Sequence, residues 1–352
     1  MGKRYFFRLS VLSFILVVLL AACSSPVGNQ AANTANAPEA KNLETVKLGY
    51  AKCAHCVSMS IVPELTNEVK VDAINFNSGN DVMTALVSKS IDIAQITYLH
   101  YVTALDKGFD VVAVSGQVNG GSDIIVGNAV DLKPDDWEGF KKLVQERLES
   151  GNKLKIAASR GNAQDIHLRG ELLLNGIDPV NDVEIINIPN PSDHAAALQR
   201  GEVDAVSTVE PFASQIVLSG VGKHFAYPYK QAAGNLTNLI VTRSDVIKNK
   251  PDQVQAVVNA VVKLVGDLKK DQTEWVKSIN KITGLDANIA KASLKNAYPD
   301  YNMYYKQTLA IASMMKDLQY ISADVSDKVG KNMDYSFLEK ATGKSKNELG
   351  YQ

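Results

Sequence analysis

Residues 78–98 (S-G-N-D-V-M-T-A-L-V-S-K-S-I-D-I-A-Q-I-T-Y) and residues 190–210 (N-P-S-D-H-A-A-A-L-Q-R-G-E-V-D-A-V-S-T-V-E) align without a gap. Asp81 falls on Asp193, Leu86 on Leu198, Asp92 on Asp204 and Tyr98 on Glu210. Each stretch opens on a polar turn followed by an Asp in a first helical turn, where the helix dipole favours an acid. Each continues through an apolar helical face and a Ser or Gly break into a strand entered through an Asp. Upstream of each lies another strand that ends in a polar loop: Lys47-Leu48-Gly49-Tyr50 before Cys53, and Leu154-Lys155-Ile156-Ala157-Ala158 before Ser159-Arg160-Gly161-Asn162. Asp and Leu are common enough to match by chance. The shared spacing and the shared upstream strand nevertheless predict two copies of a βαβαβ unit. Two such lobes facing each other would set strand carboxyl ends and helix amino ends around one cleft, where open α/β sheets bind ligands.

The chain has 352 residues, enough for one large or two medium domains, and a formal net charge of -1, which gives no electrostatic case for nucleic acid. Residues 1–22 carry Lys3, Arg4 and Arg8 ahead of an apolar run from Leu9 to Ala22, the pattern of a signal peptide. The run ends in Leu20-Ala21-Ala22-Cys23, which matches the lipobox of bacterial lipoproteins and implies cleavage before Cys23 and lipidation of its thiol. The alternative is a single membrane-spanning anchor, but the run falls short of the roughly 20 residues a span needs. Either way the remainder lies outside the cytoplasm. Residues 23–44 are small, polar and aperiodic, a flexible tether.

In the first loop, K-L-G-Y-A-K-C-A-H-C (47–56), a buried strand runs toward a helix expected from about His55. Cys53, His55 and Cys56 admit three readings. They touch ligand, directly or through a metal, since thiolate and imidazole suit Zn²⁺ or Cu⁺. Or Cys53 and Cys56 form a disulfide, in keeping with an extracytoplasmic chain. Or they are buried free thiols without a role. His167 reads as a packing histidine, and Tyr298, Tyr301, Tyr304 and Tyr305 as packing of the C-terminal helices. Val254, Val257, Val258, Val261 and Val262 recur at helical spacing as a core stripe. No P-loop, nucleophilic triad or zinc-protease helix is present.

The chain resembles the substrate-binding proteins of ABC importers, in the group serving nitrate, bicarbonate, aliphatic sulfonates, taurine and thiamine-pyrimidine precursors. The resemblance rests on the lipobox, S-K-S-I-D-I-A-Q, S-R-G-N-A-Q-D-I-H-L-R with L-L-L-N-G-I-D-P, R-G-E-V-D-A-V-S-T-V-E-P-F-A-S, and V-T-R-S-D-V-I-K-N-K-P-D-Q-V-Q-A-V-V, and covers residues 45 to about 320. It implies an α/β fold, a two-lobed periplasmic-binding-protein-like clamp in which each lobe is a βαβαβ-based sheet with flanking helices. Lobe 1 would hold residues 45–127 and 226–345, and lobe 2 residues 128–225. It implies a binding protein rather than an enzyme, for a small anionic or zwitterionic solute. Its partners would be an ABC permease with its ATPase, and the membrane through a lipid on Cys23 at the extracytoplasmic face. It would be a monomer without a cofactor, the alternative being a metal ion or metal complex on Cys53, His55 and Cys56. The yeast thiamine-pyrimidine synthases resemble the same fold and use a cysteine-rich loop, which keeps an enzymatic alternative open. Carried over position by position, the family's cleft would be lined by Lys52 to Cys56, Gly79, Asn80, Asp81, Thr97, Tyr98, Gln117, Asn119, Gly161, Asn162, Gln164, Asp165 and Glu210. Glu210 could there face a cationic group such as an amine. C-A-H-C departs from the small, polar or Pro residues more usual in the first loop.

Overall fold

The computed structural model describes residues 43–352. The expected signal peptide, the expected lipidation site at Cys23 and the expected tether up to Asn42 lie outside the described residues. No helix among the described residues is long and apolar enough to cross a membrane.

The first βαβαβ unit comprises β1 (Thr45–Ala51), a 3-10 helix (Val57–Glu64), β2 (Lys70–Phe76), α1 (Gly79–Val87) and β3 (Ile93–Thr97). β2, β1 and β3 are parallel neighbours in that order. After α2 (Tyr98–Asp106), β4 (Val112–Gly120) extends the same sheet. β5 (Ser122–Gly127) and α3 (Trp137–Glu149) then lead into the second unit. That unit is β6 (Leu154–Ala158), α4 (Ala163–Leu174), β7 (Val183–Asn187), α5 (His194–Gln199) and β8 (Ala205–Val209), with β7, β6 and β8 again parallel in that order. The repeat is therefore real in three dimensions. It is sealed at matched positions. Asp92 accepts from the Lys47 N–H at 3.0 Å and returns its own N–H to the Lys47 carbonyl. Asp204 does the same with Lys155, its carboxylate accepting at 2.9 Å. β3 and β8 are almost wholly buried, as interior strands of a sheet covered on both faces are.

Past β8 come α6 (Phe212–Leu218) and β9 (Gly222–Ala226), then β10 (Asn238–Thr242), α7 (Ser244–Asn249), α8 (Pro251–Leu268), α9 (Thr273–Thr283), α10 (Ala287–Ser293), β11 (Ala297–Asp300) and α11 (Tyr305–Asp317). The complete sheets run β11-β4-β10-β3-β1-β2 and β7-β6-β8-β5-β9. The chain crosses between them earlier than expected. Ser122–Gly127 pairs with β8 and β9, so the expected boundary after residue 127 moves back to Gly120–Gly121. Both glycines have positive φ, +88° and +87°, and this left-handed pair turns the backbone out of one sheet and into the other. The return crossing runs from Ala226 to Asn238.

The α8 stripe of Val254, Val257, Val258 and Val261 is buried in a core that spans the first sheet and the C-terminal helices, with Val262 partly buried at its edge. Two smaller cores cover the two faces of the second sheet. Ile166, Val209 and Phe212 of the second half join the first core, so the halves are packed together around the cleft. The helix expected from His55 begins at Val57 and is a 3-10 helix holding Pro63, which lacks the N–H that a continuing α-helix would use.

Candidate functional site

The carboxyl ends of the parallel strands of both sheets converge on a cavity of about 40 Å³, lined at those ends by Ala51, Asn77, Thr97, Pro189 and Val209. That is room for about three waters. Lys52, Cys53, His55, Cys56, Ser78, Gly79, Asn162, Gln164, Pro191, Gln95 and Thr237 contribute further wall. No Asp or Glu lines it. Lys52 supplies its one charged side chain, because burial, helped by the nearby His167, holds the His55 imidazole down to about 3 and therefore neutral.

Three helices start at this cavity, and their first turns differ. Ser78 caps α1 by accepting from the Asp81 N–H, and Thr97 caps α2 by accepting from the His100 N–H. Asn162, at the start of α4, makes no capping bond. Asp165 already sets a buried carboxylate in that first turn, accepting from the Gly161 N–H, so the positive end of α4 is shared between that acid and whatever sits against Asn162, Ala163 and Gln164.

Cys53 and Cys56 are joined in a disulfide with their Cα atoms 5.0 Å apart, so the second of the three sequence readings holds in this form. The loop that carries them is held from several sides. The Trp275 indole donates to the Ala54 carbonyl at 2.7 Å, and the Ala54 N–H donates to the Glu210 carbonyl at 2.8 Å. The Gln117 amide and the Ser58 hydroxyl both donate to the His55 carbonyl, at 3.0 and 2.8 Å.

A family model described as the NMT1-like family matches residues 39–280, more than half of the chain. The chain belongs to the NMT1-like family. The nitrate/nitrite binding protein NrtA of Synechococcus elongatus is 29% identical over 123 residues, which is 35% of this chain and 28% of that protein. The chain thus matches less than a third of the length of that curated relative. The ligand-binding component of an ABC-type import system from Staphylococcus aureus, solved with zinc bound, superposes with a TM-score of 0.72 at 18% identity, covering 86% of this chain and 100% of that one. The periplasmic aliphatic sulphonate binding protein SsuA of Escherichia coli gives 0.67 at 17% identity, covering 83% and 92%. At such identities the likeness is one of fold, the two-lobed periplasmic-binding-protein fold.

Of the residues expected at the cleft of this NMT1-like chain, Cys53, His55, Cys56, Thr97, Asn162 and Gln164 line the cavity, together with Lys52 and Gly79. Asn80, Asp81, Tyr98, Gln117, Asn119, Gly161, Asp165 and Glu210 do not, each for a local reason. The Asn80 amide oxygen pairs with His100 Nε2 at 3.0 Å, and Asp81 is exposed and accepts from the Ser78 hydroxyl. Tyr98 is buried beneath the C-terminal segment, its hydroxyl accepting from the Tyr304 N–H. Gln117 is spent on the first loop, and Asn119 on the Thr237 N–H. The Gly161 N–H and Arg169 both donate to Asp165. Glu210 accepts from the Ser214 N–H and hydroxyl at 2.9 and 3.0 Å, satisfied within its own helix start rather than facing a bound amine.

The expected set omitted Gln95 and Thr237. Gln95 had a signal: it lies two residues before Thr97 in one strand and so shares its face. Thr237 had none, since it arrives on the return crossing. A chain of amides fixes the Gln95 orientation. Asn238 Nδ2 donates to the Val118 carbonyl at 2.6 Å, so its Oδ1 accepts from Gln95 Nε2, also at 2.6 Å. Gln95 Oε1 is left buried without a protein partner.

Proposed function

We propose that this NMT1-like chain is the solute-binding protein of an ABC importer and that its solute is a small oxyanion of bicarbonate type. The observation that carries the anion is that the start of α4, which Asn162 leaves without a side-chain cap, and the Lys52 ammonium line one cavity that no carboxylate lines. Size and hydrogen-bonding capacity narrow the class. A cavity of about 40 Å³ suits an ion of a few heavy atoms better than an alkanesulfonate or a pyrimidine. Gln95 Oε1 asks for a donor. Bicarbonate carries one O–H, whereas nitrate offers acceptors only. The bulk of the wall is apolar, as befits binding without turnover. Delivery to a permease and its ATPase, and anchoring through a lipid on Cys23, belong to the same proposal, as does a monomeric state.

The test is calorimetric titration of the oxidised protein with bicarbonate, nitrate and ethanesulfonate. The expected order is bicarbonate, then nitrate, with ethanesulfonate weakest. Lys52→Ala should weaken every anion about tenfold or more, in line with loss of a charged hydrogen-bonding partner, and Gln95→Met should erase the preference for bicarbonate over nitrate. Binding of ethanesulfonate ahead of both inorganic ions, or no heat with any of them, would overturn the assignment.

A further inference from the structure

The cleft wall holds more chemistry than an oxyanion needs. The sulfurs of Cys53 and Cys56 and a ring nitrogen of His55 all lie within 4.8 Å of one another. His55 is 2% exposed, and its Nδ1 has no hydrogen-bond partner. That Nδ1 lies against Gly121, so the ring is a buried imidazole with an unpaired nitrogen, packed beside two cysteine sulfurs and costly to bury without a use. We propose that reducing the Cys53–Cys56 disulfide turns this wall into a Cys₂His site for a thiophilic d¹⁰ cation, with Zn²⁺ as the test case.

The loop is built so that the disulfide can open without releasing the sulfurs. Ala54 is fixed through both its carbonyl and its N–H, by Trp275 and Glu210. The His55 carbonyl is fixed by Gln117 and Ser58, and the Val57 N–H donates to the Cys53 carbonyl at 2.9 Å. None of these bonds passes through sulfur. The two side chains therefore stay on the same short stretch of backbone when the S–S bond is gone. Cys53, His55 and Cys56 all line the cavity, so the cation would have three protein ligands and could take a fourth from the cleft.

The chemistry balances with a dithiol as reductant. The dithiol gives two electrons and two protons to the Cys53–Cys56 bond and leaves as its own disulfide, and Cys53 and Cys56 become thiols. Binding of Zn²⁺ then displaces the two thiol protons to solvent. Oxidised, the cleft offers only the anion site described above; reduced, it gains a cation site in the same wall.

The decisive comparison needs no variant. The full chain, oxidised or reduced by excess dithiol that is then removed under nitrogen, is titrated with Zn²⁺ and with Co²⁺. The reduced protein should bind one Zn²⁺ at least about a hundredfold more tightly than the oxidised protein, should release protons as it does so, and should show a thiolate-to-cobalt charge-transfer band. The Cys53→Ser/Cys56→Ser double variant should lose the band, and His55→Ala should weaken Zn²⁺ binding. Equal Zn²⁺ affinity in the two redox forms, bound Co²⁺ without the band, or a disulfide that excess dithiol does not open would each overturn the proposal. Oxyanion binding is measured on the oxidised protein alone, so the two proposals fail or stand separately.

Discussion

The Tyr320 hydroxyl donates to the Asp165 carboxylate, joining the segment after α11, which packs on the first sheet, to the first turn of α4 in the second half. Asp165 is fully buried and also accepts from Arg169 Nε at 2.9 Å and the Gly161 N–H at 3.1 Å. The Tyr320 bond is thus a tie between the halves, one residue along the chain from the cavity-lining Gln164. Tyr320→Phe removes it without orphaning Asp165. A hydrogen bond to a charged group is worth about 1.5–3 kcal/mol, so closure should weaken and solute affinity should fall by about tenfold or more. Calorimetry and small-angle scattering check this. An unchanged affinity together with an unchanged radius of gyration would show that Tyr320 does not hold the clamp.

Gly121 sits under His55 at the crossing. A Cβ there would stand 2.3 Å from His55 Nδ1, on a backbone with φ +87°. Gly121→Ala combines left-handed strain of about 1–2 kcal/mol with a clash against a ring that packing holds in place. The loss should exceed about 2 kcal/mol in urea unfolding, and a smaller loss would mean that His55 has room to move.

Trp275 is fully buried and anchors the first loop through the Ala54 carbonyl. Trp275→Phe leaves that carbonyl without its donor and removes part of the ring. A cost of about 2–4 kcal/mol follows from the lost bond and the cavity together. Denaturant midpoints measure it, and an unchanged slope with denaturant would show that the loss lies in the folded state.

Stability should fall as the protein is acidified from pH 7 to pH 4.5. Burial holds the His55, His100, His167 and His194 imidazoles down, to about 3, 4, 4 and 4. Each contributes stability that is present above the ordinary histidine value and is lost as pH falls toward the folded one. Burial also pushes the Asp123 and Glu210 carboxyls up, to about 6 and 7. Those two act in the opposite sense, their stability being present at low pH and lost as pH rises. Burial pushes Glu171 up as well, but the four histidines outweigh the three carboxyls near pH 5, so unfolding takes up protons there and stability falls with acidification. Glu210→Gln removes one opposing group and should steepen that fall. Unfolding free energies between pH 4.5 and 7 test it, and a flatter profile in the variant would contradict the assignment.

The repeat was legible because its signals are local. Helix-start acids, apolar spacing and the Asp that enters each strand all act within a few residues, and Asp92 and Asp204 make the same bond in the folded chain. From these, and from the motifs that the family shares, the α/β clamp and the loops that meet at its cleft could be placed, including Cys53, Thr97, Asn162 and Gln164.

Which polar side chains reach the cavity was a different matter. Asp165 and Glu210 stand in the loops where ligands bind, yet each is consumed by partners that the fold supplies: Arg169 and Tyr320 for the one, Ser214 for the other. Gln95 Oε1 is free only because the Asn238 amide is turned by the Val118 carbonyl, more than a hundred residues away in the chain. The state of Cys53 and Cys56 followed the same rule, since their spacing permits a disulfide, a metal site or two thiols, and the disulfide depends on the folded loop bringing their Cα atoms to 5.0 Å. The sequence alone determined the elements, because their hydrogen bonds and periodicities are near in the chain. Only the tertiary structure decided which groups were left unpaired in the cleft, because pairing depends on neighbours that distant segments bring.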